Sequence, residues 1–266
     1  MDRQSTRTLN VQHIIFSFLL LLTGSSVSHA DNATPGAFVL ATPHQSTYIL
    51  EKYGAQVGEI TNQLTYTNNE ISYLSVATAT GVASLFFSES ISEKSVMSWP
   101  QNQTASNSAS GSPQLQGYYY SNPAKQRKNQ QITLNWLADG SATITVEYRK
   151  KTTTMNAHKS VWSRQLLPII ISSHLQQNPD LQQSTLSIIE KDGLDSYTYN
   201  RLVTENIEFQ GTLYPGIKFE IKKPGSNRVS YVWLAAAFDY LPLKIEQFKD
   251  GELDARMLLT DYKRTQ

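Results

Sequence analysis

The sequence predicts a mainly β (α+β) protein: a strongly curved antiparallel sheet or open barrel of about a dozen strands, with one amphipathic helix packed on its concave face. Three observations predict it. Apolar and polar residues alternate with a period of two through most of the chain, turn-forming pairs separate the alternating runs, and a single segment carries a helical spacing of apolar residues.

In chain order, Ile60, Leu64 and Tyr66 alternate with Glu59, Thr61, Gln63 and Thr65. On a strand this places one apolar and one polar face, as a half-exposed antiparallel sheet requires. Ile144, Val146 and Tyr148 repeat the pattern, and so do Ile217, Phe219 and Ile221. Asn68-Asn69, Asp139-Gly140, Asp192-Gly193, Pro224-Gly225 and Asp250-Gly251 fall between such runs. Asn, Asp and Gly tolerate the left-handed backbone of tight hairpins, so these pairs read as turns. Val232 and Leu234 make the second face of the Trp233 strand apolar, which implies cover on both sides.

The helix is expected over Ser160 to Gln177, where Leu167, Ile170, Ile171 and Leu175 recur at helical intervals and Asn178-Pro179 supplies a stop. Pro168 either starts its regular part or kinks it. The stretch Gln101 to Gln114, rich in Ser, Asn, Ala and Gly, contributes no core and reads as a flexible surface loop. The basic run Lys125, Arg127, Lys128 reads as a solvated edge.

Arg3 and Arg7 precede the apolar run Ile14 to Leu22, and Ser28-His29-Ala30 has the small residues of a cleavage site. Residues 1–30 are therefore expected to be a signal peptide and 31–266 a single β-rich domain, with no transmembrane anchor after cleavage. The chain's formal net charge is +1. Asp2, Arg3 and Arg7 account for it, so the remainder is formally neutral and carries no net-charge footprint for nucleic acid or an anionic membrane. Cysteine is absent, which favours a bacterial periplasm and excludes a cysteine-linked lipid anchor.

No sequence motif for catalysis appears. His44, His158 and His174 lack metal-ligand spacing, no G-x-S-x-G or S-x-x-K pattern occurs, and Asp250, Glu252 and Asp254 read as a polar hairpin rather than a calcium loop. The expectation is no catalytic residue, no metal and no cofactor. The 14 tyrosines, 9 phenylalanines and 4 tryptophans supply core and cavity walls. Candidate ligand-binding residues are Trp136, Trp162, Ile170, His174, Phe219 and Trp233.

The C-terminal stretch resembles the end of a bacterial exported family, domain of unknown function 3108. Trp233, the step Tyr240-Leu241-Pro242, Ile245 and Glu246, and the Asp250-Gly251 turn carry the match; Tyr48 to Gly58 and Ile132 to Trp136 extend it. The departures are the insertion at Gln101 to Gln114 and Leu243 in place of Val. The resemblance implies an exported protein without assigned activity, akin in fold to lipoprotein carriers whose curved sheet wraps a helix around an apolar cavity. The functional expectation is a non-catalytic periplasmic protein binding a hydrophobic or lipid-like envelope component between sheet and helix. The alternative is an envelope scaffold holding another protein or a glycan on its sheet surface.

Overall fold

The computed structural model describes residues 38–67, 69–85, 89–99, 112–158 and 160–265. The expected signal peptide, Asn68 of the first turn pair and most of the Ser/Asn-rich loop lie outside them. The described residues are mainly β, with fifteen strands in one sheet and one α-helix.

The strands are β1 (His44–Lys52), β2 (Ala55–Tyr66), β3 (Glu70–Ala79), β4 (Ile91–Ser98), β5 (Gln114–Ser121), β6 (Gln130–Trp136), β7 (Ala142–Tyr148) and β8 (Lys151–Ala157). After them come β9 (Trp162–Ser163), the helix α1 (Leu167–Gln177), β10 (Gln183–Glu190), β11 (Gly193–Phe209), β12 (Thr212–Lys222), β13 (Arg228–Ala235), β14 (Leu241–Lys249) and β15 (Glu252–Arg264). The order across the sheet is β8-β7-β6-β5-β4-β3-β2-β1-β15-β14-β13-β12-β11-β10-β9. It is a meander whose first and last strands meet at the centre. Every pairing is antiparallel except β9 on β10, where Trp162 and Ser163 run beside Ile188 and Ile189.

The alternation expected of β2, β7 and β12 is present; in β7, Ala142, Ile144 and Val146 are buried while Thr143, Thr145 and Glu147 are not. Asp250-Gly251 closes β14 onto β15 with both residues in the left-handed region, at φ of 53° and 83°. The strand count exceeds the expected dozen because some hairpins lack a turn signature. Arg149 and Lys150 turn β7 into β8 at φ of 52° and 62° with no glycine present.

The helix begins later than Ser160. Ser163 is still extended, Arg164–Leu166 form a 3-10 turn, and regular helix starts at Leu167 with Pro168 in its first turn. Pairing of β9 with β10 holds the preceding chain extended, so the proline starts the helix rather than kinking it. At the other end Asn178 is extended and its amide donates to His174 O at 2.8 Å.

Burial on α1 is wider than one apolar stripe. Leu167, Ile169, Ile170, Ile171, Ser172, Ser173 and Leu175 are all buried. The two serines satisfy neighbouring chain: Val39 N donates to Ser173 Oγ at 3.0 Å, and Ser172 Oγ donates to Asp239 O at 2.5 Å. The apolar helix residues belong to one cluster with Leu64, Met97, Ile132, Ile144, Ile188, Phe219, Val232 and Leu234, drawn from seven strands. A second cluster gathers Tyr48, Phe209, Trp233, Leu241, Leu243 and Met257. Strand β13 thus contributes Val232 and Leu234 to one cluster and Trp233 and Ala235 to the other, as its two apolar faces demand.

Candidate functional site

A cavity of about 190 Å³ lies where α1 begins, bounded by both halves of the sheet. Strand registers explain its wall. Ile60, Ala77 and Ile91 stand side by side across β2, β3 and β4, and Met257, Ile245 and Val232 do the same across β15, β14 and β13. These two apolar rows line the cavity together with Leu50, Ile221, Leu167 and Pro168.

One step along the strands the wall turns polar. Asn62, Ser75 and Glu93 form a row across β2, β3 and β4, while Gln247 and Ser230 are neighbours across β14 and β13. Gln165, in the 3-10 turn, ties the first row to the helix: its Nε2 donates to Ser75 Oγ at 2.9 Å and to Glu93 O at 3.0 Å. Ser95 Oγ of β4 meets Gln165 Oε1 and Ser163 Oγ, each at 2.7 Å. The buried Gln247 Oε1 has no hydrogen-bond partner among the described residues.

An ionic cluster completes the lining. Arg164 retains 23 % of its side-chain surface and lies 3.9 Å from Glu190 Oε1. Glu190 also accepts from the Tyr197 hydroxyl at 2.8 Å and pairs with Lys223 at 3.4 Å, while Lys223 reaches Asp195 at 2.5 Å. Tyr118 donates to Glu93 Oε2 at 3.1 Å. Burial pushes the Glu93 carboxyl above its ordinary range, with Arg164 and the Tyr118 hydroxyl pulling the other way. For Arg164 burial opposes the charge, yet Tyr197, Glu190 and Glu93 together hold the guanidinium above its usual value. Arg228, also in the lining, pairs with Asp254 at 3.2 Å.

The six residues singled out from the sequence stand elsewhere. Ile170 is fully enclosed on α1. His174 shares a hydrogen bond with the Tyr199 hydroxyl, and Tyr199 meets Phe219 edge-on at 5.8 Å, so these two candidates belong to one buried aromatic chain. Burial lowers the His174 pKa. Trp162 stacks on Phe38 at 5.7 Å, Trp136 Nε1 donates to Leu115 O at 2.7 Å, and Trp233 Nε1 donates to Glu205 Oε2 at 2.9 Å. None of the six is in the cavity lining. The signal that points to the actual lining is a polar residue in the apolar phase of a strand: Asn62 between Ile60 and Leu64, Ser75 between Tyr73 and Ala77, Glu93 between Ile91 and Met97.

Among the described residues no three His, Asp or Glu side chains are grouped to hold a metal ion. No described helix is long and apolar enough to cross a membrane.

No protein-family model matches the chain, and no curated protein matches it, so the resemblance to domain of unknown function 3108 rests on the residues quoted for it. The chain is similar to the solved structure of a candidate lipoprotein from Parabacteroides distasonis, at 11 % identity and a TM-score of 0.33 over 87 % of this chain and 100 % of that one. It is also similar to a candidate exported protein with a YmcC-like fold from Bacteroides fragilis, at 10 % identity and a TM-score of 0.34 over 86 % of this chain and 99 % of that one. At these scores neither similarity bears on what this chain does.

Proposed function

We propose that the protein is a non-catalytic, exported protein of the bacterial periplasm that holds a hydrophobic or lipid-like envelope component in the cavity between α1 and a sheet curled around it. The cavity carries the reading: two facing apolar rows with an ionic cluster beside them suit a molecule that is apolar along its length and polar at one end. An engineered apolar cavity of about 150 Å³ takes up benzene, so this volume suffices for part of an acyl chain. Each methylene placed there contributes about 0.8 kcal/mol.

Chain connectivity supports the curl. The sheet's two edge strands, β8 and β9, are consecutive in sequence and joined by residues 158–161 alone. Such a link spans at most roughly 18 Å, whereas a flat sheet of fifteen strands is roughly 65 Å wide. Contacts across the sheet agree with it. Ser95 touches Ser163 although ten strand positions separate β4 from β9, and Lys191 Nζ lies 5.7 Å from the Tyr148 ring, joining the β10–β11 turn to β7. Engagement of Glu190 with Tyr197, Lys223 and Arg164 supports a binding role over a catalytic one, since its oxygens already have partners.

The test is to purify the processed protein from its native envelope, extract it with organic solvent for mass spectrometry, and titrate the delipidated protein with a fluorescent fatty acid. Bound lipid and saturable uptake are expected. An empty protein that takes up no probe overturns the reading.

A further inference from the structure

The meander puts its connections alternately at the two ends of the sheet. The β1–β2 turn, the β3–β4 loop, the β5–β6 connection and the β7–β8 turn therefore share one end, as the pairs Lys52 with Ala55, Ala77 with Ile91, Ser92 with Ser121 and Tyr148 with Lys151 require. Residues near the cavity occupy that end of their strands: Leu50 is two residues before the close of β1, and Ile91 opens β4.

Two properties meet there. Lys125, Arg127 and Lys128 sit in the β5–β6 connection, Arg149 and Lys150 in the adjacent β7–β8 turn, and Lys151 opens β8. Pairing of Gln130 with Tyr148 brings the two groups side by side. Arg127, Arg149, Lys150 and Lys151 are exposed. Residues 112–158 contain two carboxylates, Asp139, which lies in the β6–β7 turn at the opposite end, and Glu147. Lys128 is pushed down to about 8 by burial and by Lys125, Arg127 and Arg149 around it, as expected for clustered like charges. The second property is apolar exposure. In the neighbouring β3–β4 loop, which also holds the exposed Glu89, Val82 is 74 % and Leu85 80 % exposed, and Tyr53 at the β1–β2 turn is 74 % exposed.

We propose that the β3–β4, β5–β6 and β7–β8 connections at this end of the sheet form a docking surface for an anionic lipid bilayer, with the six cations meeting lipid phosphates and Val82 and Leu85 entering the interface. Residues 31–266, although formally neutral, can do this because strand pairing gathers the cations on two hairpins. A soluble polyanion satisfies the cations but leaves Val82 and Leu85 in water, so the combination favours a bilayer. The surface lies at the cavity end, and its bilayer contact does not depend on the cavity holding a ligand.

The experiment is co-sedimentation of the processed protein with vesicles of phosphatidylglycerol and phosphatidylcholine, against phosphatidylcholine alone, at low and high salt. Binding is expected on the anionic vesicles only, weakening with salt. Each cation at an anionic surface contributes about fivefold in partitioning, so Arg127→Gln/Arg149→Gln/Lys150→Gln is expected to lose about 100-fold. Val82→Asp/Leu85→Asp is expected to weaken binding to the same vesicles while thermal melting stays that of the parent. The proposal is overturned if the parent does not bind anionic vesicles at low salt, or if the triple variant binds as the parent does. It is also overturned if the protein binds dextran sulfate and the Val82/Leu85 variant sediments unchanged, which would assign the cations to a soluble polyanion. Fatty-acid uptake by the triple variant without vesicles reads the cavity separately, so failure there and failure here are distinguishable.

Discussion

The sharpest test of the cavity compares two truncations on one helix. Ile170→Ala and Leu167→Ala each remove three carbons from α1, but Ile170 is fully enclosed in the main apolar cluster whereas Leu167 forms part of the cavity wall. Losing three buried carbons costs about 2.4 kcal/mol in transfer free energy. At Ile170 a new void adds roughly 1–2 kcal/mol, because close-packed neighbours collapse only in part. The expected total is about 4 kcal/mol. At Leu167 the removed atoms already border open space, so no comparable void forms and the expected loss is about 2 kcal/mol. For a chain of this length 1 kcal/mol moves the melting temperature by about 2–4 °C, which places Ile170→Ala about 8–16 °C below the parent and Leu167→Ala about half that. Thermal melts and urea titrations of both variants supply the comparison. Equal losses would refute the reasoning, since they would mean that Leu167 is packed as tightly as Ile170 and that no usable space lies beside it.

Three other outcomes are expected. Burial holds His44 and His174 below their ordinary 6.5, so the stability they confer is complete above that value and is lost as pH falls through their folded values. Calorimetry from about pH 7.5 to about pH 5 should show melting temperature falling, and His174→Gln should remove part of the slope; an unchanged slope counts against the assignment. Glu93 has the opposite sign: its raised carboxyl favours folding when protonated, and that advantage disappears as pH rises through the folded value. Glu93→Gln should therefore raise stability in alkaline buffer relative to acid buffer when compared with the parent, and no such relative gain would contradict the raised pKa. Gly58 on β2 has room for no side chain, since an added Cβ would lie 2.7 Å from Thr78 O of β3. Gly58→Ala is expected to lower the urea midpoint by an amount equivalent to about 1–3 kcal/mol, and a neutral result would show that the β2–β3 pairing yields easily.

The sequence by itself determined the kind of element along most of the chain and which way its residues face. A period of two at Ile144, Val146 and Tyr148, a turn at Asp250-Gly251 and helical spacing through Leu167 to Leu175 are local properties, because backbone geometry alone sets the phase of a strand or helix. The start of the helix was not legible, since the β9 pairing with β10 that keeps Trp162 and Ser163 extended spans the whole intervening helix. Nor was the β7–β8 turn at Arg149-Lys150, where two ordinary side chains adopt a glycine-like backbone. The lining of the cavity was decided by tertiary structure: alternation says that Glu93 shares a face with Ile91, but only strand order brings that face against Tyr197, Glu190 and Val232 from the far half of the chain. Large aromatics drew attention in the sequence, yet they are the side chains that fill space most completely, and the open volume lies beside smaller residues such as Ala77, Ser75 and Ser230. Net charge was equally silent on the cationic end, because a sum over the chain carries no positions and hairpin pairing is what sets Lys128 next to Arg149.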